Sequence, residues 1–237
     1  MAKANGTENR KEEHFLVKWE KRTLRKMAIK MPYWVTSDML TWLGFFGAVM
    51  CGAGFALSQL SLHWLWFSIA GLVINWVGDS LDGTLARVRK RQRPVYGFFI
   101  DHSLDALTIC IMCIGAGMSP MFMFGIAMLL LAGYLVLSIY TYIDTILKDE
   151  FKIAYGGLGP TELRLIIIVF CLVAMYVPWR GIELPVGPFT FGLFDCIGIV
   201  MVAIIFALVI YQLVSDLRYF AKKDPFRPFG PNDVIED

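Results

Sequence analysis

Charge is scarce in this sequence. Only 18% of its 237 residues are Asp, Glu, Lys or Arg, against about 25% in soluble domains, and 57% are hydrophobic. That balance excludes an ordinary soluble globule and points to lipid. Histidine is rarer still, with three in the chain, and there is no HExxH pair, GxGxxG or Walker loop, or nucleic-acid signature. Zinc hydrolysis, dinucleotide binding and nucleic-acid recognition therefore lack their usual residues. No secretory signal opens the chain, because the first thirty-odd residues are polar and basic without an apolar core. The five cysteines, at 51, 110, 113, 171 and 196, lie in or beside apolar runs. Cys110 and Cys113 form a lone C-x2-C with no second pair and no histidine, which reads as helix packing and not as a metal or redox site.

What the chain has instead is long apolar runs. A spanning helix needs roughly 20 mostly apolar residues, and six segments qualify: 39–58, 63–83, 96–117, 121–147, 161–178 and 192–220. The predicted fold is all-α, a polytopic integral membrane protein of six transmembrane helices. Basic residues set its orientation. Nine lie in the leader through Lys30, five between the second and third spans, three around the fourth connection and four at the C-terminal end, and Arg180 alone falls on the other side. The bias predicts both termini and the second connection on the cytoplasmic face of the cell membrane. In the leader, Leu16, Leu24, Met27 and Met31 share one helical face and Pro32 stops the helix, so an amphipathic interfacial helix is expected. The predicted units are residues 1–33 as leader, 34–220 as membrane domain and 221–237 as cytoplasmic tail.

Against this apolar background, four aspartates fall within "GDSLDGTLARVRKRQRPVYGFFIDHSLDAL". Helical neighbours lie three, four or seven residues apart. Asn75, Asp79, Asp82, Gly83 and Ala86 share one face of the second span, and Gly97, Asp101 and Asp105 share one face of the third. The short connection predicts antiparallel neighbours whose carboxylates converge. Four like charges need compensation, and an oxygen-only donor set selects a hard divalent cation, Mg2+ or Mn2+. Arg87 lies one residue beyond this face with a fork suited to phosphate. Two ions beside an arginine suit a diphosphate-bearing substrate, and ionisable residues inside a membrane segment point to function.

The spacing Asp79-x2-Asp82-Gly83-x2-Ala86-Arg87-x9-Gly97-x3-Asp101-x3-Asp105 resembles the signature of the CDP-alcohol phosphatidyltransferases, six-span membrane enzymes that use Mg2+ or Mn2+ and are often homodimers. The family gap after the arginine is usually eight residues; here it is nine, with the extra one in "VRKRQRPVY". The resemblance implies that Asp79, Asp82 and Asp101 ligate the metals, Asp101 between the two. Asp105 would join them and act as general base. Gly83, Ala86, Arg87 and Gly97 would hold the cytidine diphosphate. It further implies a CDP-linked donor, a polar alcohol or diacylglycerol as acceptor, membrane lipids around the protein and no nucleic acid. Ser37-Asp38 stands where the family has Pro-Asn, and Thr41 fits, so Asp38 and Thr41 are expected near the nucleotide.

Three further residues have two readings each. Thr161 in "GGLGPTELR" is an N-cap or lines the acceptor pocket. Arg164 binds a phosphate or headgroup, or is a topological charge. His102 in "DHSLD" is a neighbour of the chemistry, lining an acceptor or lipid pocket as Asn75 would, or a clue to the substrate, since the stretch resembles the Asp-His-x-x-Asp of the choline and ethanolamine phosphotransferases. The expected reaction is transfer of a phosphatidyl group from CDP-diacylglycerol to a small polar alcohol with release of CMP. The alternative is transfer of a phospho-amino-alcohol from CDP-choline or CDP-ethanolamine to diacylglycerol. A membrane prenyltransferase would need more spans and aspartate motifs far apart in sequence. A cation transporter would place carboxylates at mid-bilayer within an inverted repeat, and none is visible. A scaffold without activity would tolerate loss of motif residues, and none is missing.

Overall fold

The computed structural model describes residues 15–148, 160–179 and 181–226. The helices run in the order α1 (Phe15–Lys30), α2 (Ser37–Leu57), α3 (Leu65–Val88), α4 (Pro94–Gly117), α5 (Phe124–Lys148), α6 (Pro160–Tyr176) and α7 (Leu193–Lys223), with a short 3-10 turn, Leu62–Trp64, before α3. Each predicted span coincides with one helix from α2 to α7. Four of these are long and apolar enough to cross a membrane: Ser37–Leu57, Pro94–Gly117, Phe124–Asp144 within α5, and Leu193–Lys223. The start of the leader, the side chain of Leu16, the Gly156-Gly157 loop, Arg180 and the tail from Arg227 lie outside the described residues.

One element departs from the all-α expectation. Strands β1 (Glu183–Val186) and β2 (Phe189–Gly192) pair antiparallel, with Val186 opposite Phe189. The two-residue loop is Gly187-Pro188, and Gly187 has φ +61°. A left-handed glycine followed by a proline fits the II′ turn that closes tight hairpins. A ten-residue apolar stretch between two spans gave no helical period to reveal it.

Local signals account for the helix ends. The Thr36 hydroxyl accepts from Met39 N at 3.2 Å and caps α2. Pro94 opens α4 and Pro160 opens α6, where a missing N–H costs nothing. Asp195 serves two helices at once. Its carboxylate accepts from Gly192 N at 3.0 Å, at the start of α7, and from Met123 N at 2.7 Å, just before α5. α3 ends in a Schellman pair: Arg91 N donates to Ala86 O at 3.0 Å and Lys90 N to Arg87 O at 3.1 Å. Lys90 takes the left-handed position, φ 53°, which glycine usually fills.

The packing runs as a chain of neighbours. α2 packs on α3 and α4, α4 on α5, α5 on α7, α3 on α6, and α1 on α3. The antiparallel α3–α4 pairing expected from the short connection is not formed. Both helices lean on α2 and stand apart from each other. The α2–α3 crossing is close because it is built from small residues. A Cβ on Gly47 would lie 2.5 Å from Asn75 N, one on Gly71 would lie 2.5 Å from Cys51 N, and one on Gly78 would strike the Gly44 backbone. Polar side chains fasten the same seam: Ser68 Oγ donates to Cys51 O at 2.9 Å and Asn75 Nδ2 to Gly44 O at 3.0 Å.

Two apolar clusters result among the described residues. One gathers Phe55, Leu65, Leu72, Met112, Cys171, Trp179 and Phe194. Trp179 meets Phe194 edge-to-face at 5.1 Å and donates Nε1 to Ala174 O at 2.9 Å. The other lies under the leader helix, where Leu24 and Ala28 of α1 bury against Leu40, Leu81 and Leu85, with Met27 and Met31 beside them. The apolar face expected to lie on the membrane is thus partly covered by protein. Arg89 closes the α1–α2 link by donating to the carbonyls of Met31, Pro32, Tyr33 and Val35. Large apolar side chains such as Trp42, Phe46, Phe99, Leu107, Ile204 and Ile210 point outward, as a lipid-facing surface requires. All five cysteines are free, with Cys51 and Cys171 buried.

Candidate active site

Because α3 and α4 splay around α2, the two aspartate stripes border a space. A cavity of about 20 Å³ is lined by Thr41, Gly44, Asn75, Asp79, Asp82, Asp101, Asp105 and Thr108, among others. All four aspartates line it. It adjoins a wider cavity of about 230 Å³, lined among others by Ser37, Asp38, Thr41, Asp82, Gly83, Ala86, Arg87, Arg91, Arg93, Tyr96, Gly97 and Asp101. Thr41, Asp82 and Asp101 belong to both. The space beside Gly97 is open, since a Cβ there would meet nothing within 4 Å.

The carboxylates differ in how they are held. Asp82 is 6% exposed; it accepts from Thr41 Oγ1 at 2.6 Å and from the amide of Gly83. Ser37 Oγ donates to the Asp82 carbonyl at 2.6 Å, so the start of α2 clamps this turn of α3 twice. Asp79 takes Arg164 Nη2 at 2.6 Å, and Arg164 Nε donates to Asn75 Oδ1 at 3.0 Å. No hydrogen bond or ion pair reaches Asp101 or Asp105 among the described residues. Arginines and Asp38 line the wider cavity's rim. Arg87 Nη2 donates to Thr84 Oγ1 at 3.0 Å. Arg93 pairs with Asp38 and lies 4.2 Å over the Tyr96 ring, and the bond to Asp38 raises its pKa further above the ordinary value.

The residues expected from sequence divide accordingly. Asp38, Thr41, Gly83, Ala86, Arg87 and Gly97 line the wider cavity, and Asn75 and the four aspartates line the smaller one. Arg164 lines neither but grips Asp79 and Asn75. Thr161 and His102 line neither cavity. Thr161 is the second residue of α6 and its hydroxyl donates to Glu20 Oε1 at 2.9 Å. His102 stacks on Phe98 at 4.0 Å and abuts Tyr142 at 4.7 Å, with Nδ1 2.8 Å from Phe98 O. Ser37, Arg91, Arg93 and Tyr96 also line the wider cavity, and no sequence motif marks them as site residues. Arg91 and Arg93 read as orientation charges, and nothing in their local pattern distinguishes the two roles.

Among the described residues, no three His, Cys, Asp or Glu side chains already stand as a ligand cluster. Asp79 and Asp82 are turned to Arg164 and Thr41 instead. The chemistry nevertheless fits: four carboxylates from two helices, with only oxygen donors around one small cavity, suit a hard cation.

A stretch of 93 residues, 39% of the chain, is 34% identical to a phosphatidylinositol phosphate synthase of Cutibacterium acnes, and it covers 42% of that protein's length. The match to the family profile is broader, running over residues 34–210 and so from just before α2 into α7. Both the aspartate stripes and the helices that hold them fall inside that range, and the chain belongs to the CDP-alcohol phosphatidyltransferase family.

Proposed function

We propose that this protein transfers a phosphatidyl group from CDP-diacylglycerol to the hydroxyl of a small polar alcohol and releases CMP. The observation that carries the reading is that four aspartates from two separate helices line one cavity, which shares Thr41, Asp82 and Asp101 with a wider one lined by Arg87, Arg91 and Arg93. The proposal includes a membrane domain of six spans over residues 34–220, between the leader and the tail, with the site and both termini cytoplasmic. It also includes an interfacial role for the leader helix and, carried over from the family, a homodimer.

In this reading the wider cavity holds the cytidine diphosphate. Gly83, Ala86 and Gly97 leave it room and Arg87 and Arg91 face its phosphates, while Asp38 and Thr41 lie on the nucleotide side. The hydroxyl oxygen of the acceptor attacks the lipid-linked phosphorus. A new P–O bond forms, the P–O bond to CMP breaks, and the hydroxyl proton passes to Asp105. Arg164 supplies positive charge for an anionic group of the acceptor. Asp79, Asp82, Asp101 and Asp105 would hold Mg2+ or Mn2+, which when bound supplies positive charge to the leaving phosphate. The name of the C. acnes relative, a phosphatidylinositol phosphate synthase, supports the phosphatidyl direction of transfer. His102, stacked on Phe98 with Tyr142 edge-on beside it, lends no support to the amino-alcohol direction.

The test is CMP release by purified protein with Mg2+ or Mn2+. CDP-diacylglycerol, CDP-choline and CDP-ethanolamine serve as donors; inositol phosphate, glycerol 3-phosphate, inositol, serine and diacylglycerol serve as acceptors. CMP and a new phospholipid are expected from CDP-diacylglycerol with one polar alcohol. Asp105→Asn is expected to lower the rate by about 10²–10⁴-fold. CMP release from no pair, or an unchanged rate in Asp105→Asn, would overturn the proposal.

A further inference from the structure

Glu20 sits on the leader helix and takes no part in the chemistry above. Its Oε1 accepts two hydrogen bonds, from Trp76 Nε1 at 2.8 Å and from Thr161 Oγ1 at 2.9 Å. Trp76 belongs to α3 and Thr161 to α6. Each donor adjoins the site in its own helix. Trp76 follows Asn75 directly, and Thr161 lies one turn before Arg164. Arg164 then bridges the same two helices, from α6 to Asn75 and Asp79 of α3. One carboxylate oxygen therefore joins α3 to α6 at the level where the arginine crosses. The leader helix can bear this role because it is anchored independently, through Leu24 and Ala28 against Leu81 and Leu85.

We infer that Glu20 is a positioning residue: by tying Thr161 and Trp76 together it holds the first turn of α6 where Arg164 reaches the aspartate cavity. The inference rests on the proposal that Arg164 meets an anionic group of the acceptor. The leader helix thereby becomes part of the catalytic framework, although it contributes no group to the reaction. A guanidinium displaced by one ångström at this point loses its hydrogen-bond geometry. A merely structural Glu20 would affect thermal stability and leave the kinetic constants alone.

The experiment measures kcat, the KM for inositol phosphate with CDP-diacylglycerol as donor, and Tm. The variants are Glu20→Ala, Glu20→Gln, Arg164→Ala and the double change Glu20→Ala with Arg164→Ala. Thr161→Val, which removes one donor at constant shape, serves if Glu20→Ala does not fold. Arg164→Ala is expected to raise KM by about tenfold or more, the scale of one hydrogen bond to a charged group. Glu20→Ala or Thr161→Val should raise KM several-fold with a smaller change in kcat. Glu20→Gln should stay near the unmodified protein, because an amide oxygen still accepts both bonds. The double variant should be no worse than Arg164→Ala alone. Independent, multiplying effects in the double variant would overturn the inference while leaving the role of Arg164 intact, as would an effect of Glu20→Ala on Tm alone. An unchanged KM in Arg164→Ala would overturn the role of Arg164 and the inference with it.

Discussion

α2 and α3 meet backbone against backbone, whereas α3 and α4, consecutive in the chain and joined by the five residues Arg89–Arg93, stand apart. The contrast lies in the facing residues. Where α2 meets α3, Gly44, Gly47, Gly71 and Gly78 remove the side chains and let main chains touch. Where α3 looks toward α4, Asp79, Asp82, Asp101 and Asp105 border an open space. Carboxylates repel one another and keep their water or their ligands, so two such stripes do not close. α2 packs on both helices and holds them at this separation. Tight packing on one side of α3 thus provides the rigid wall that an open site needs on the other.

Substitutions on the two sides of α3 should have opposite signatures. The largest effect belongs to the open side. Asp101→Asn should lower CMP release by about 10–100-fold or more through weakened hold on the metal, with Tm unchanged or higher in metal-free protein, since one of four like charges is removed. A fall in Tm would mean that the carboxylates hold the helices together instead of keeping them apart. On the closed side, Gly78→Leu drives a side chain into the Gly44 backbone. It should cost about 1–3 kcal/mol or more, read as a lowered Tm in detergent, with activity falling only as folded protein is lost. An unchanged Tm would show that the α2–α3 seam is looser than its glycines indicate. The smallest effect falls on the turn between α3 and α4. Lys90→Gly relieves the left-handed backbone of the Schellman motif and should raise stability by up to about 1 kcal/mol, with KM for the donor unchanged. A rise in KM would assign the Lys90 side chain to the nucleotide.

Much of this was legible in the residues. Six apolar runs located α2 to α7 within a few positions, because a helix depends on the local run of residues and on backbone groups satisfied within its own segment. The aspartate spacing predicted two stripes, and they line one cavity. What local pattern could not convey was which faces meet. The short connection suggested that α3 and α4 pair, yet the glycines of α2 draw both helices to itself. Those glycines were visible in "GFFGAVMCGAG", but their partners at 71 and 78 lie a loop away. The hairpin at 183–192 was hidden for a different reason: only its Gly-Pro loop marks it. The charges were the most ambiguous. Arg89 binds four carbonyls and Arg93 pairs with Asp38, while both look alike as positive-inside residues; Arg164, open in sequence between a headgroup and a topological charge, crosses to Asp79.

By itself the sequence determined the helices, the polar stripes on two of them and the chemistry those stripes can support, because each depends on residues within a few turns of one another. The tertiary structure decided that α3 and α4 stand apart, that Arg164 and Thr41 hold the aspartates, and that Glu20 of the leader helix reaches both α3 and α6. Those contacts join residues separated by 41 to 141 positions. Such pairings depend on how whole helices pack, and no local periodicity records them.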